Sequence, residues 1–357
     1  MTRLAILCEY PTMLGGERSM LSTLAAVREA RFEISIAAPA AGPLADAVRK
    51  QGVRLVPWSD RAELVGLIER LRPDLVHANS LSTARLTGPT IAAAGVPSIG
   101  HLRDIVTLSR QAVDDINCHR QLVAVSNATR TFHAAQGVDA AKCAAIHNGV
   151  DLATFRPRPA TGSLHAELGI PSGAPLVATV GQIGLRKGTD VALAAVRRVP
   201  GVHWLVVGQR TSEKEESREF ERRLHEASRE PDLAGRVHFL GQREDMLQLL
   251  PECRLLLHTA RQEPLGRILL ETAACGVPVV ATDVGGTREI FPDDASGAIL
   301  VKADAPDATA EAIGALLENE NRRRTVGAAG RARAEAAFDV RIAAARLIDL
   351  YRRVLKL

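Results

Sequence analysis

The chain has 357 residues, of which 46% are apolar and 24% charged, the balance of a soluble globular protein long enough for two domains. A formal net charge of +4, no long basic run and only 3% aromatic residues argue against a nucleic-acid partner. Five cysteines at positions 8, 118, 143, 253 and 275 lack CxxC spacing, which argues against a disulfide framework and a zinc site.

Residues 4–8 read as a first buried strand. Glu9 cuts this apolar run too short for a signal peptide, so the expected compartment is the cytoplasm. No apolar stretch reaches the roughly 18 residues that a membrane span needs. Gly15 and Gly16 follow as a strand-to-helix turn. Further strands are expected at 33–37, 75–77, 97–101 and 122–125, separated by stretches rich in Ala, Leu and Arg. A second series runs through 176–181, 203–208, 237–241, 255–258 and 279–282. Alternation of this kind predicts parallel sheets covered by helices on both faces, and two series predict two doubly wound α/β domains. The boundary falls in 147–163, dense in turn residues and prolines, which gives domains at 1–150 and 151–337. The tail, 338–357, is amphipathic, with Ile342, Ala345, Leu347, Ile348, Tyr351, Val354 and Leu355 along one side.

The stretch from Thr259 to Pro278 holds the strongest chemical signal. Glu263 and Glu271 stand eight residues apart around the start of an apolar helix, with a strand expected on either side. That order is a βαβ unit, whose ligands bind where strands hand over to helices. The free N–H groups of Leu265, Gly266 and Arg267 would open the helix as an anion site. Glu271 lies among Leu269, Leu270, Ala273 and Ala274, where an unpartnered carboxylate costs several kcal/mol. Two readings stand for it: an ion pair or capping contact, or acceptance of two hydroxyls from a sugar or ribose. The loop after Val180 carries Gly181, Gly184 and Gly188 with Arg186 and Lys187, which suits a phosphate; no Gly-Lys-Ser/Thr ends it, so it is not a Walker loop. No Asp-x-Asp follows a strand. Asp114-Asp115 falls in a helical stretch and Asp293-Asp294 in a loop, so the expected chemistry needs no metal. A hydrolase with two flanking carboxylates fits less well: a helical rise of about 12 Å between Glu263 and Glu271 puts them on different parts of one ligand.

Together these residues resemble the retaining glycosyltransferases of family 4, the group 1 glycosyl transferases with the GT-B fold. The resemblance rests on a Glu, seven residues and a second Glu, within Glu263-Pro264-Leu265-Gly266 through Ala273-Ala274-Cys275-Gly276-Val277-Pro278-Val279-Val280. It extends to Gly15-Gly16, the glycine turn 181–188, and Asn148-Gly149-Val150-Asp151 with Phe155 and Pro157, and so covers nearly the whole chain. It implies two Rossmann-like domains facing across a cleft, with the final helix crossing back onto the first. It also implies transfer of a sugar from a nucleotide-diphosphate donor to an acceptor hydroxyl, with retention and without metal or other cofactor. By position, Glu263 would hold the donor sugar's hydroxyls, Glu271 the ribose, and Lys187 with the loop at Gly181 the diphosphate. Gln242 and Arg243 would border the base, and His101 would face the sugar where it reacts. Gly15 and Gly16 would bring N–H groups against the phosphate or acceptor. The family's Arg after the loop glycine is replaced here by Gln182, which makes Arg186 or Arg267 the candidate for the missing charge. A phosphorylase or epimerase on this architecture, and a non-catalytic sugar-nucleotide binder, remain alternatives. The base, the sugar, the acceptor (sugar, lipid or small molecule), peripheral membrane contact and oligomeric state stay open.

Overall fold

The computed structural model describes residues 1–293 and 295–357; of the pair Asp293-Asp294, the second lies outside the described residues. The chain forms two compact units, one of residues 1–149 with 338–357 and the other of 150–337.

The first unit is built on seven strands: β1 Thr2–Leu7, β2 Phe32–Ala38, β3 Arg54–Pro57, β4 Leu75–Ala78, β5 Ser98–Leu102, β6 Gln121–Ala124 and β7 Cys143–Ala145. All are parallel, in the order β3-β2-β1-β4-β5-β6-β7. A parallel sheet must be covered on both faces, and its inner strands are accordingly mostly apolar, with His77 in β4 and His101 in β5 as exceptions. On one face Leu4, Ile6, Ile36 and Leu75 pack with Leu24 and Val27 of the helix Gly15–Glu29 and with Leu347, Ile348, Tyr351 and Val354 of the terminal helix Val340–Leu355. Each large side chain so buried contributes about 1.5–3 kcal/mol, which anchors the terminal helix to this unit. Its start is fixed by Asp339, whose carboxylate accepts from Arg341 N at 2.8 Å.

Among its described residues the second unit has six strands: β8 Leu176–Val180, β9 His203–Val207, β10 Val237–Gly241, β11 Leu255–His258, β12 Val279–Thr282 and β13 Ala298–Val301. They are again parallel, in the order β10-β9-β8-β11-β12-β13. Trp204, Val177, Leu255, Leu257 and Val280 form its core with Ile313 and Leu316 of the helix Pro306–Glu318.

In each sheet the chain leaves its first strand in one direction and later returns to pair on that strand's other side. The crevices outside the carboxyl ends of β1/β4 and β8/β11 are therefore topological switch points, where α/β sheets bind ligands. The sequence pattern misses β3, β7 and β13, all short strands at sheet edges. It also carries four strands one residue too far, to Cys8, Val125, Gly181 and Gly208, which lie just past the strand ends. Among the described residues no helix is long and apolar enough to cross a membrane.

Candidate functional site

Because β8 to β13 are parallel, the turns that follow them lie along one sheet edge, and these turns are tied together by backbone contacts. Gly181 N donates to Val207 O at 2.9 Å, Gly208 N to Gly241 O at 2.7 Å, and Arg261 N to Arg186 O at 2.9 Å. Gly188 has φ +63°, and a Cβ there would stand 1.9 Å from Thr259 O, so only glycine lets the loop 181–188 close onto the turn after β11. Thr259 Oγ1 seals the contact by donating to Gly188 O at 2.8 Å. Arg261 reinforces it, donating to Leu185 O at 2.6 Å and forming a bidentate pair with Asp190 at 2.8 and 2.9 Å.

This closure brings Lys187 to Glu263. Lys187 Nζ lies 2.5 Å from Glu263 Oε2, and His258 Nε2 lies 2.9 Å from the same oxygen. The Glu263 side chain is 6% exposed. Burial acts to raise its pKa, but the Lys187 charge and the His258 hydrogen bond outweigh it, and the carboxyl is held far below the usual carboxylate range. The result is a buried carboxylate, ionised at neutral pH, with Oε2 occupied. A small cavity of about 10 Å³ beside it is lined by Gly181, Gln182, Lys187, His258 and Thr259.

The helix after this turn spans Arg267–Ala274, with Gly266 (φ +92°) as its cap residue. Leu265 and Gly266 thus precede the helix instead of opening it, and Glu263 lies in the loop, so the expected helical rise of all eight residues to Glu271 does not hold. Leu265 is buried. Glu271 sits in the second turn and accepts from Arg267 Nε at 2.6 Å, an i,i+4 pair with side chains 10% and 16% exposed. The ion-pair reading of Glu271 is therefore realised here, and the guanidinium expected to replace the loop's missing charge is engaged with it. Arg186 is exposed on the 3₁₀ turn Leu185–Lys187. The Gln182 amide bonds Thr211 Oγ1. Gln242 is exposed at the end of β10, while Arg243 is bound by Glu167 and Asp245 at 2.5 and 2.6 Å.

In the first unit His101 lies in β5, buried, at the carboxyl-end side of the sheet. Its Nδ1 is 3.1 Å from His77 Nε2, and His77 Nδ1 is 2.7 Å from the Tyr351 hydroxyl. Burial, with the nearby Arg103 charge adding to it, pushes His77 down to about 3 and His101 well below the usual imidazole range. Arg103 donates to Asn79 O at 2.7 Å, Asn79 Oδ1 at 2.9 Å and Asn148 Oδ1 at 3.1 Å. Desolvation lowers its pKa only to about 10, so it stays a cation at neutral pH. Gly15 and Gly16 begin the helix Gly15–Glu29. Gly15 faces open space, and a Cβ on Gly16 would come 3.0 Å from Arg103 Cδ. His77, Asn79, His101, Arg103, Asn148 and Tyr351 line a cavity of about 30 Å³.

Several of these residues escape the sequence pattern. His258 closes a strand of apolar residues and carries no motif. Tyr351 reads as one more apolar position of an amphipathic helix. Arg103, two residues past His101, is a signal that pattern reading could use: a cation just beyond a switch-side strand. Gly285-Gly286 is another, since Gly286 N donates to Glu263 O at 2.9 Å and Gly285 packs on the same carbonyl.

Two family models match the chain in tandem, Glycosyltransferase Family 4 over residues 14–154 and Glycosyl transferases group 1 over 161–333. The D-inositol 3-phosphate glycosyltransferase of Xylanimonas cellulosilytica is 32% identical over 226 residues, 62% of this chain and 53% of that protein. The alpha-maltose-1-phosphate synthase of Mycobacterium tuberculosis is 33% identical over 246 residues, 65% and 63% of the two chains. The matched region thus spans between half and two thirds of these relatives' length. The structure of Anabaena HepE in complex with UDP-glucose aligns with a TM-score of 0.90 at 22% identity, over 99% of this chain and 100% of that one. Sucrose-phosphate synthase from Thermosynechococcus elongatus aligns at 0.82 and 20% identity, over 100% of both chains. At such identities the likeness shows a shared fold, that of two Rossmann-like domains.

Proposed function

We propose that this chain, which belongs to the group 1 glycosyl transferases, moves a sugar from a nucleoside diphosphate sugar to an acceptor hydroxyl, with retention and without a metal ion. The observation that carries the reading is the Lys187–Glu263–His258 cluster at the β8/β11 switch point. A carboxylate that cannot be protonated at working pH is a fixed acceptor. With Oε2 taken by Lys187 and His258, Oε1 faces the donor sugar's hydroxyls. Lys187 has three N–H donors and spends one on Glu263, leaving two for the diphosphate. As the bond between the anomeric carbon and the diphosphate oxygen breaks, negative charge grows on that oxygen, and the Lys187 ammonium stabilises it. The acceptor oxygen forms its new bond on the same face, and its proton passes to the departing phosphate oxygen.

The HepE structure in complex with UDP-glucose supports a nucleotide-sugar donor, and the relatives' names add a narrower suggestion. Inositol 3-phosphate and maltose 1-phosphate are both phosphorylated, and HepE is solved with UDP-glucose, so UDP-hexose with a phosphorylated polyol or sugar is the first combination to try. The test measures thermal stability against UDP-, GDP-, ADP- and TDP-sugars, then turnover of the stabilising donor over an acceptor panel. The expected result is a shift with one nucleotide, turnover unchanged by chelator, and a product with the donor's anomeric configuration. An inverted product or chelator-sensitive turnover refutes the mechanism. Tight donor binding without turnover on any acceptor favours the non-catalytic binder.

A further inference from the structure

We infer that Arg103, held in place by Asn79 and Asn148, forms a subsite in the first unit for an oxyanion of the substrate, the phosphate of a phosphorylated acceptor. The subsite follows from the geometry of this unit, to which all its residues belong. Only its assignment to the acceptor rests on the proposed transferase reading.

A guanidinium withdrawn from water is normally neutralised by a carboxylate, because an uncompensated charge there costs several kcal/mol. Arg103 is partly buried and keeps its charge at neutral pH. Among the described residues, however, its hydrogen-bond partners are three neutral oxygens: Asn79 O at 2.7 Å, Asn79 Oδ1 at 2.9 Å and Asn148 Oδ1 at 3.1 Å. Glu17 and Asp104 act on it only through space, and Glu17 Oε2 is engaged by Leu14 N at 3.0 Å. The two asparagines therefore fix the position of the guanidinium without cancelling its charge. A carboxylate in either place would have closed an ion pair. Of the five N–H groups three are used, and two remain for a ligand.

Two further observations point to a ligand here. His101 is 5% exposed, and its Nε2 has no partner; it borders the same cavity of about 30 Å³ as Arg103, Asn79 and Asn148. The helix Gly15–Glu29 also starts beside the guanidinium, since a Cβ on Gly16 would stand 3.0 Å from Arg103 Cδ. A helix start and a fixed cation both favour negative charge. A neutral hydroxyl would leave the charge of Arg103 as it is, whereas an oxyanion cancels it and can take two parallel N–H bonds. Phosphate also suits His101 in either tautomer, because its oxygens accept and a protonated one donates.

The probe is inorganic phosphate, titrated into the full chain while the ¹⁵Nε–H signal of Arg103, assigned with Arg103→Lys, is followed. The wild-type signal is expected to shift and saturate. Asn148→Asp keeps the shape and the hydrogen bond but supplies the missing counter-charge. It is expected to weaken phosphate binding about tenfold or more without lowering Tm. In turnover, KM for phosphorylated acceptors is expected to rise by a similar factor, with KM for phosphate-free acceptors and the Kd of UDP changed less than about twofold. A guanidinium that only braces the two asparagines predicts the opposite: Asn148→Asp holds it at least as well and binds phosphate like the wild type. That result, or no response of the Arg103 signal in the wild type, overturns the inference. UDP binding weakened as much as phosphate binding gives the subsite to the donor's diphosphate and overturns its assignment to the acceptor. Phosphate binding at Arg103 without transfer to any acceptor overturns the transferase reading and leaves the subsite standing.

Discussion

Replacing Lys187 by Met keeps the aliphatic stem and removes the charge that faces Glu263. The pair is 2.5 Å long, with side chains 20% and 6% exposed, so the loss leaves a nearly buried carboxylate supported by His258 alone. Breaking such a pair costs about 3–5 kcal/mol. In a unit of this size each kcal/mol moves the midpoint by about 2–4 °C, so the ligand-free protein should melt roughly 10 °C lower. The sign with pH follows from the folded-state pKa, which lies far below the reference value of 4.5. The stabilisation from Glu263 is complete above about 4.5 and is lost as pH falls toward the folded value, so the Lys187→Met penalty shrinks by about 1.4 kcal/mol per unit below that. Urea titrations of Lys187→Met, Glu263→Gln and the double variant at pH 7 and pH 3.5 give the coupling directly. A coupling under about 0.5 kcal/mol at pH 7, or one that does not fall at pH 3.5, refutes the account of this cluster.

Gly285→Ala should perturb the same site from behind. The glycine has φ +53° and its Cβ would stand 2.0 Å from Glu263 O, whereas Gly169, at φ +63°, faces nothing within 4 Å. Gly169→Ala should cost about 1–2 kcal/mol and preserve donor-induced stabilisation; Gly285→Ala should cost more and lose it, as read by thermal melts. Glu271→Ala should raise the donor Kd about 10- to 100-fold by calorimetry, the loss of charged hydrogen bonds to the ribose. An unchanged Kd would remove Glu271 from the ribose and leave it a structural ion-pair residue.

Much of the architecture was legible in the chain. The inner strands are buried on both faces, so mainly apolar runs such as 75–77 and 255–258, each closed by a histidine, announce themselves without knowledge of their neighbours. The glycines of 181–188 and the Glu263–Glu271 spacing pointed to the sheet edge because a loop that must approach another backbone closely has few residue types open to it. Edge strands β3, β7 and β13 escaped because three or four residues carry no periodicity, and pairing with a neighbour makes them strands. The partners of the charged groups escaped for a related reason. Glu263 reads as a lone loop carboxylate, but its ionisation is set by Lys187, 76 residues away, and by His258 at the end of β11. Arg267 reads as a free phosphate ligand, but helical spacing turns it onto Glu271. Tyr351 reads as core, but its hydroxyl meets His77 across 274 positions. By itself the sequence determined most of the elements and their division into two doubly wound series, because these follow from local propensity and periodic burial. Which groups share a proton or a charge was decided only by tertiary structure, because electrostatic and hydrogen-bond energies depend on distances of a few ångströms between segments far apart in the chain.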